Sequence, residues 1–315
     1  KPYIDDMVNK MIDDGIAHES QGATVVDIQQ QGDTKELPPC IVRKHDGAAL
    51  YATSDLATLI EREKDYHPGH VIYVVDKRQE LHFTQVFRVA KMTGIVGEDT
   101  PLTFIGFGTM NGTDGKPFKT RDGGVMRLEM LISDVSEKVY EKILENRDIS
   151  EEEAREISKI IGLAAIKYGD LSNQATKDYV FDIDRFTSFE GNTGPYILYT
   201  IVRIKSILKK YAEQGNELSA NGKIVDFGSE SERSLKLVLT QFNDVMEASY
   251  NELAPHRVCA YIYEVANAFN RFYHENNIMN EENADKQKSY INLLTLTKKV
   301  LEQCIDLLAI ECPDR

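Results

Sequence analysis

The strongest constraint on the fold is a strand–helix–strand pattern in the first third of the chain. HVIYVVD (70–76) and LTFIGFG (102–108) are continuous apolar runs of strand length, and the helical stretch between them stops at Gly94. Continuous apolar strands are typical of parallel sheets that are buried on both faces. Two such strands joined by a helix form a crossover unit, so the pattern predicts half of a doubly wound nucleotide-binding fold.

The remaining elements divide the chain into an α/β part and an all-α part. Helical spacing predicts a helix over 3–15, alternation predicts strands at 23–28 and 39–44, and LYAT is interpreted as a strand end. Ser54 is the predicted N-cap of a helix that continues to Tyr66. After Arg121 only helices are predicted, apart from a possible short strand at 223–227; the helices are 127–146, 150–169 (capped by Ser150), 196–214, 230–251, 255–276 and 284–310.

Composition sets limits on the class of protein. At 315 residues, with 42% hydrophobic and 28% charged residues, the chain is expected to form about two globular domains. The net charge of −14 disfavours a nucleic-acid binder without excluding one, because RNA affinity depends on local basic surface. The four cysteines have no CxxC or zinc spacing, so no metal site is predicted, and no apolar run approaches the ~18 residues of a membrane span. Because the chain begins at Lys1, it is interpreted as a fragment.

A glycine-rich stretch follows the second apolar strand. Residues 107–124, FGTMNGTDGKPFKTRDGG, contain five glycines together with Lys116, Lys119 and Arg121. Such a loop suits a polyphosphate, since backbone N–H groups can approach closely and cations can meet developing charge. The alternative, a solvated hairpin tip with ordinary surface lysines, remains open on the residues alone.

Three polar side chains stand near predicted strand ends. Tyr51 and Asp55 are four residues apart at a strand-to-helix junction, and Gln79 follows the strand 70–76. Ligands bind at the carboxyl ends of strands in open α/β sheets, and a carboxylate there can hold a guanidinium bidentately. The alternative for Asp55 is a carboxylate that only favours the start of its helix.

Several ordered blocks resemble arginyl-tRNA synthetases of the bacterial type. FKTRDGG is similar to their form of the class I KMSKS signature loop, and LYATSDLA and YVVDKRQELHF are similar to their arginine-binding blocks. Similarity continues through IGLAAIKYGDLSNQATKDYVFDIDRF, SFEGNTGPYILYTIVRIKSILKK, APHRVCAYIYEVANAFNRFYHE and LAIECPDR. The resemblance covers nearly the whole chain. It implies the second half of a Rossmann-type class I catalytic domain, followed by a helical anticodon-binding domain of the DALR type.

The resemblance implies roles for named residues. Catalysis falls to Lys119 and Arg121, which would stabilise phosphate charge together with ATP-bound Mg²⁺. Arginine binding falls to Tyr51, Asp55 and Gln79. Residues on the ATP side are His82, Gly108, Met110, Lys116 and Lys119. Residues expected to contact tRNA are Asn192, Tyr196, Arg203, Arg257, Tyr261 and Phe269. Leu198 and Ile201 depart from the family pattern, which puts tRNA contacts at those two positions in doubt.

The implied domains are 1–126 (catalytic part with the signature loop), 127–187 (connecting helices) and 188–315 (anticodon binding). HPGH (67–70) precedes a strand and is interpreted as a turn rather than the ATP-binding HIGH motif, which is therefore expected in a missing first half. The implied partners are L-arginine, ATP and tRNA(Arg), in a cytoplasmic monomer that contacts no membrane and has no tightly bound cofactor. A non-catalytic RNA-binding module and another class I synthetase or nucleotidyltransferase remain as alternatives.

Overall fold

The computed structural model describes residues 3–117, 126–146 and 149–314. The chain divides into two compact units, Lys1–Gly108 and Thr109–Arg315. Each unit has its own buried apolar residues.

The first unit is an α/β unit with two small sheets. Its elements are α1 (Ile4–Asp13), β1 (Ala17–Ser20), β2 (Ala23–Val26), β3 (Cys40–Arg43), α2 (Tyr51–Tyr66), β4 (Val71–Asp76), a 3₁₀ helix (Lys77–Gln79), α3 (Glu80–Met92) and β5 (Leu102–Phe107). Strands β1, β2 and β3 form an antiparallel meander, while β4 and β5 are parallel, in register from Val71 beside Leu102 to Asp76 beside Phe107. The predicted strand–helix–strand crossover is thus confirmed.

Strand β4 is buried on one face rather than on both. Tyr73 packs against Phe83 and Phe87 of α3, with ring centroids 4.7 and 5.5 Å away. Ile72 and Val74 point to the opposite face and are 41% and 61% exposed. Side chains alternate along a strand, so a strand with packing on one side exposes every second residue. The expectation of burial on both faces is wrong for the described chain.

Helix α2 begins four residues earlier than predicted. LYAT is not a strand end, because Tyr51 is the first helical residue and Ser54 donates its backbone N–H to Leu50 O at 3.0 Å. Thr53 sets this start: its hydroxyl accepts from Leu50 N (3.2 Å) and donates to Val42 O of β3 (2.7 Å). A contact with a distant strand therefore fixes the helix start, and Ser54 is not the N-cap. His67, with a left-handed φ of 46°, ends the helix, so HPGH is the predicted turn.

The second unit is predominantly helical. Its elements are β6 (Met110–Asn111), α4 (Leu128–Asn146), α5 (Glu151–Leu171), β7 (Tyr179–Val180), α6 (Ile183–Phe186), α7 (Gly194–Glu213), α8 (Glu230–Thr240), α9 (Phe242–Glu252), α10 (Pro255–Glu275), a 3₁₀ helix (Ile278–Asn280) and α11 (Ala284–Leu307). Ser150 caps α5 as predicted, accepting from Glu153 N at 3.3 Å.

Three expectations for this unit need correction. The helix predicted over 230–251 is divided at Gln241 into α8 and α9. Residues 223–227 form no strand, because Val225 N donates to Ser289 Oγ of α11 (2.8 Å) instead of to a neighbouring strand. Strands β6 and β7, only two residues each, were not expected and pair in parallel with one another. None of the described helices is long and apolar enough to cross a membrane.

Candidate functional site

A carboxylate and an imidazole meet between α2 and α3. Asp55 lies in the second turn of α2, and its Oδ2 is 2.7 Å from His82 Nε2 in the first turn of α3. Their side chains are 32% and 26% exposed, so solvent reaches both. Tyr51 precedes Asp55 by one helical turn and is 87% exposed, which places its phenol on the same side of α2. The fold thus brings Tyr51, Asp55 and His82 to one region.

The two oxygens of Asp55 have different surroundings. Oδ2 is engaged by His82, whereas no described residue donates a hydrogen bond to Oδ1. Burial raises the pKa of the Tyr73 phenol of β4; Arg62 opposes this rise and the charge of Asp55 adds to it. Arg62 donates from Nη1 to Tyr73 Oη at 3.0 Å. The site therefore offers an accessible carboxylate oxygen one helical turn from the exposed Tyr51 phenol, an arrangement suited to a planar cation.

Gln79 ends the 3₁₀ helix that follows β4. Asp76 caps this helix by accepting from Arg78 N (2.8 Å), and its carboxylate also holds the Arg78 guanidinium, which lowers the pKa of Asp76 to about 2. Gly106 allows β5 to lie close to the 3₁₀ helix, since a Cβ at Gly106 would be 2.8 Å from Lys77 Cα. Gln79 is exposed and lies three residues before His82, so it enters the site region at the start of α3.

The glycine-rich stretch is described up to Pro117. Asn111 and Pro117 form an antiparallel bridge, Gly112 N donates to Lys116 O (2.7 Å), and Gly115 has a φ of +73° at the turn. Residues 110–117 are therefore a hairpin, here called the Lys116 hairpin, with the Lys116 side chain exposed. Gly108 and Met110 lie just before it and at its first residue. The predicted catalytic residues Lys119 and Arg121 lie outside the described residues.

A polar network joins α7 to α10. Tyr196 donates its hydroxyl hydrogen to Asn267 Oδ1 and accepts from Asn270 Nδ2, both at 2.8 Å. Arg203 then donates to Asn270 Oδ1 at 2.9 Å. These bonds hold amide and phenol groups in fixed positions at the protein surface.

Two aromatic rings flank the Arg203 guanidinium. It donates to Tyr199 Oη (2.7 Å), and its central carbon is 4.6 Å from the Tyr199 ring centroid and 5.5 Å from that of Tyr273. Tyr199 is 38% exposed. Planar cations, rings and amides at a surface are groups on which unpaired nucleobases stack and bond. This set is called the α7–α10 surface: Tyr196, Tyr199, Arg203, Asn267, Asn270 and Tyr273.

The structure corrects two predicted tRNA contacts. Tyr261 and Phe269 of α10 are 2% and 0% exposed and belong to the core of the second unit. Tyr261 points its hydroxyl at Leu239 O (3.5 Å), so neither ring can stack on a base. The two departures from the family pattern have the same location, since Leu198 and Ile201 are 1% and 0% exposed. Their apolar character is that of core positions.

Asn192 and Arg257 are exposed but already have partners. Asn192 Oδ1 accepts from the buried Tyr168 hydroxyl at 2.5 Å. Arg257 donates from Nε and Nη2 to the carboxylate of Glu252 at 2.7 and 2.8 Å. A tRNA phosphate would have to compete with that carboxylate for Arg257.

Two family models match the chain, and the first extends from the first unit into the second. Residues 1–183 match the model for tRNA synthetases class I (R), catalytic domain. The chain belongs to the arginyl-tRNA synthetase family. Residues 197–315 match the DALR anticodon binding domain, as expected for the C-terminal part of an arginyl-tRNA synthetase.

Curated relatives and solved structures agree with this family. The chain is 58% identical over 322 residues to the arginine–tRNA ligase of Agathobacter rectalis and 57% identical over 313 residues to that of Alkaliphilus oremlandii, matching 100% and 99% of this chain. It covers 54% and 53% of those proteins, so it spans about half of their length. Plasmodium falciparum arginyl-tRNA synthetase aligns at a TM-score of 0.80 and 25% identity, over 100% of this chain and 52% of that one. The Thermus thermophilus arginyl-tRNA synthetase shares the fold, at a TM-score of 0.83 and 20% identity, over 99% of this chain and 58% of that one.

Sequence reasoning missed one contact in the Asp55 region of this arginyl-tRNA synthetase chain and several residues of the α7–α10 surface. The direct contact of His82 with Asp55 spans 27 residues and has no sequence signal. By contrast, Asn267, Asn270 and Tyr273 recur every three residues along α10, which places them on one helical face. Their spacing, along the edge of the apolar face, could have identified the α7–α10 surface.

Proposed function

We propose that the full-length protein is an arginine–tRNA ligase, which converts L-arginine and ATP, with its bound Mg²⁺, into arginyl-adenylate and pyrophosphate and then transfers arginine to tRNA(Arg). The observation that carries this proposal is the accessible Asp55 carboxylate between α2 and α3, with Tyr51 one turn away and His82 at 2.7 Å. In this proposal Asp55 Oδ1 accepts from the guanidinium of arginine, while Tyr51 and Gln79 bound the rest of the side chain.

His82 contributes to this site through its bond to Asp55 and through its position in α3. Its bond to Oδ2 fixes the rotamer of Asp55, so that Oδ1 is preorganised for the ligand. His82 also lies in the first turn of α3, three residues after Gln79, which ends the 3₁₀ helix between β4 and α3. His82 therefore belongs to the arginine pocket in our proposal, in addition to the ATP-side role that the resemblance implies.

The ATP side is assigned to the Lys116 hairpin and the segment after it. Gly108, Met110, Lys116, Lys119 and Arg121 would meet the phosphates, with Lys119 and Arg121 stabilising negative charge as pyrophosphate leaves. The α7–α10 surface would hold the anticodon loop, supported by its ring-flanked guanidinium and its oriented amides.

These 315 residues alone are expected to have no measurable arginine activation or tRNA charging. The chain spans about half of its curated relatives, and a nucleotide site of this fold is built from both halves of the sheet. Pyrophosphate release and tRNA charging by the purified chain measure this. The host's own synthetase must be absent, as shown by a mock purification. Charging above that background contradicts the expectation.

Arg203→Met in the full-length protein is expected to weaken tRNA(Arg) binding about ten-fold, because it removes a cation and the groups that order Tyr199 and Asn270. Equilibrium binding at fixed salt measures the change. Lys209→Met is the matched control on the same helix, since Lys209 is solvent-exposed and pairs only with Glu213 of α7, at 4.0 Å, among the described residues. Equal losses in both variants would show a general charge effect and contradict a specific α7–α10 contact.

A further inference from the structure

The Lys116 hairpin is hydrogen-bonded to the chain around β7. Asp178 Oδ1 accepts from Thr109 N at 2.8 Å, Thr109 O accepts from Tyr179 N at 3.1 Å, and Asn111 O accepts from Phe181 N at 2.8 Å. The first of these bonds is made by a side chain, and it fixes the residue at which the chain enters the hairpin. The other two are ordinary strand pairing.

The hairpin and the chain after residue 125 pack on one small core. Met110 and Met126 both contact a cluster of buried residues in the second unit: Leu131, Val135, Ala165, Ile166, Phe181 and Phe186. The described chain on each side of the segment 118–125 is thereby tied to the helical unit. The position of the Lys116 hairpin is set by β7 and this cluster.

Strand β7 is itself fixed to α5. Tyr179 donates its hydroxyl hydrogen to Asp170 Oδ1 at 2.8 Å. Burial, together with the neighbouring Asp170 carboxylate, raises the pKa of Tyr179, so the donor keeps its proton. Helix α5 therefore fixes the position of β7. Asp178 immediately precedes β7, so its position relative to Thr109 is fixed as well.

We propose that Asp178 is a positioning residue for adenylate formation, acting through the Lys116 hairpin. The proposal rests on the proposed function. Asp178 is exposed and lies outside the helices, so loss of its bond to Thr109 N should have little effect on global stability. Its effect is on where the hairpin sits, and small displacements of charge-stabilising groups lower rates strongly.

The test uses single-turnover pyrophosphate release by the full-length protein, with arginine, saturating ATP and tRNA(Arg) present. Asp178→Ala is expected to lower this rate about ten-fold, while the half-saturating arginine concentration changes less than about two-fold. Asp178→Asn retains an oxygen that can accept from Thr109 N, so its rate should stay within about three-fold of the unaltered protein.

Asp182 provides a matched control four residues away. Its carboxylate accepts from Arg185 N at 3.0 Å to cap α6, a bond of the same chemical kind that does not involve the hairpin. Asp182→Ala should leave the rate within about two-fold. If Asp178→Ala does not fold, Tyr179→Phe replaces it: the ring stays in place, the bond to Asp170 is lost, and a three- to ten-fold lower rate is expected.

The outcomes separate the two proposals. A normal rate for Asp178→Ala, an equal loss in Asp178→Asn, or an equal loss in Asp182→Ala overturns the positioning role while leaving the enzyme assignment intact. A normal rate for Tyr179→Phe does the same where that variant is used. If the unaltered protein releases no pyrophosphate with arginine, the proposed function fails, and the positioning role fails with it.

Discussion

Asp55→Asn in the full-length protein should lower kcat/KM for arginine by about 2–4 kcal/mol, which is about 30- to 1,000-fold. The substitution keeps the size of the side chain but removes the negative charge. Buried guanidinium donors then lose an ionic acceptor at Oδ1, and the oriented bond with His82 changes as well. Steady-state kinetics with arginine measures the loss.

Two controls make this result specific. Citrulline is the uncharged analogue of arginine and makes no ion pair with Asp55. Its affinity as an inhibitor should therefore fall far less in Asp55→Asn than kcat/KM for arginine does. His82→Gln can still donate to Asp55 while leaving the carboxylate intact, so it should cost less than about ten-fold. An unchanged melting temperature must accompany both variants, because Asp55 also lies near the start of α2. Equal effects on arginine and citrulline would contradict the pocket assignment.

Phe269→Ala should lower the free energy of unfolding by about 3–5 kcal/mol, the range for removing a fully buried phenylalanine. Phe269 is 0% exposed and stacks on Tyr273 at a centroid distance of 6.0 Å, so the substitution leaves a cavity beneath the α7–α10 surface. Chemical denaturation followed by circular dichroism measures this change.

Tyr250 offers the matched control for Phe269. It is an aromatic residue of α9 with 78% exposure, and Tyr250→Ala should change the free energy of unfolding by less than about 0.5 kcal/mol. If Phe269→Ala kept full stability but lost tRNA affinity, the ring would be a tRNA contact after all and the core assignment would be wrong.

Local patterns determined most of the elements. The apolar runs at 70–76 and 102–108 identified β4 and β5 because strand-length hydrophobic runs are read directly from neighbouring residues. Helical periodicity and the Ser150 cap located α5, and similar spacing located α7, α10 and α11 within a few residues. The motif blocks also identified the family, since their residues and their order along the chain can be compared with a family without knowledge of the fold.

Other features depended on residues that are distant in sequence. Thr53 starts α2 early through Val42, and Asp55 meets His82 across 27 residues. The two-residue strands β6 and β7 are too short for any periodicity and exist because they pair with one another.

Contacts between distant segments also determined which aromatic residues of α10 are buried. Tyr261, Phe269 and Tyr273 have similar chemistry in the sequence, yet the first two are in the core and the third lies beside Arg203 at the surface. The sequence by itself determined the family, the crossover and most helices, because these follow from local periodicity and motif order. Only the tertiary structure decided which of these rings are buried in the core and which groups surround Asp55, because packing between distant segments sets the exposure and partners of each side chain.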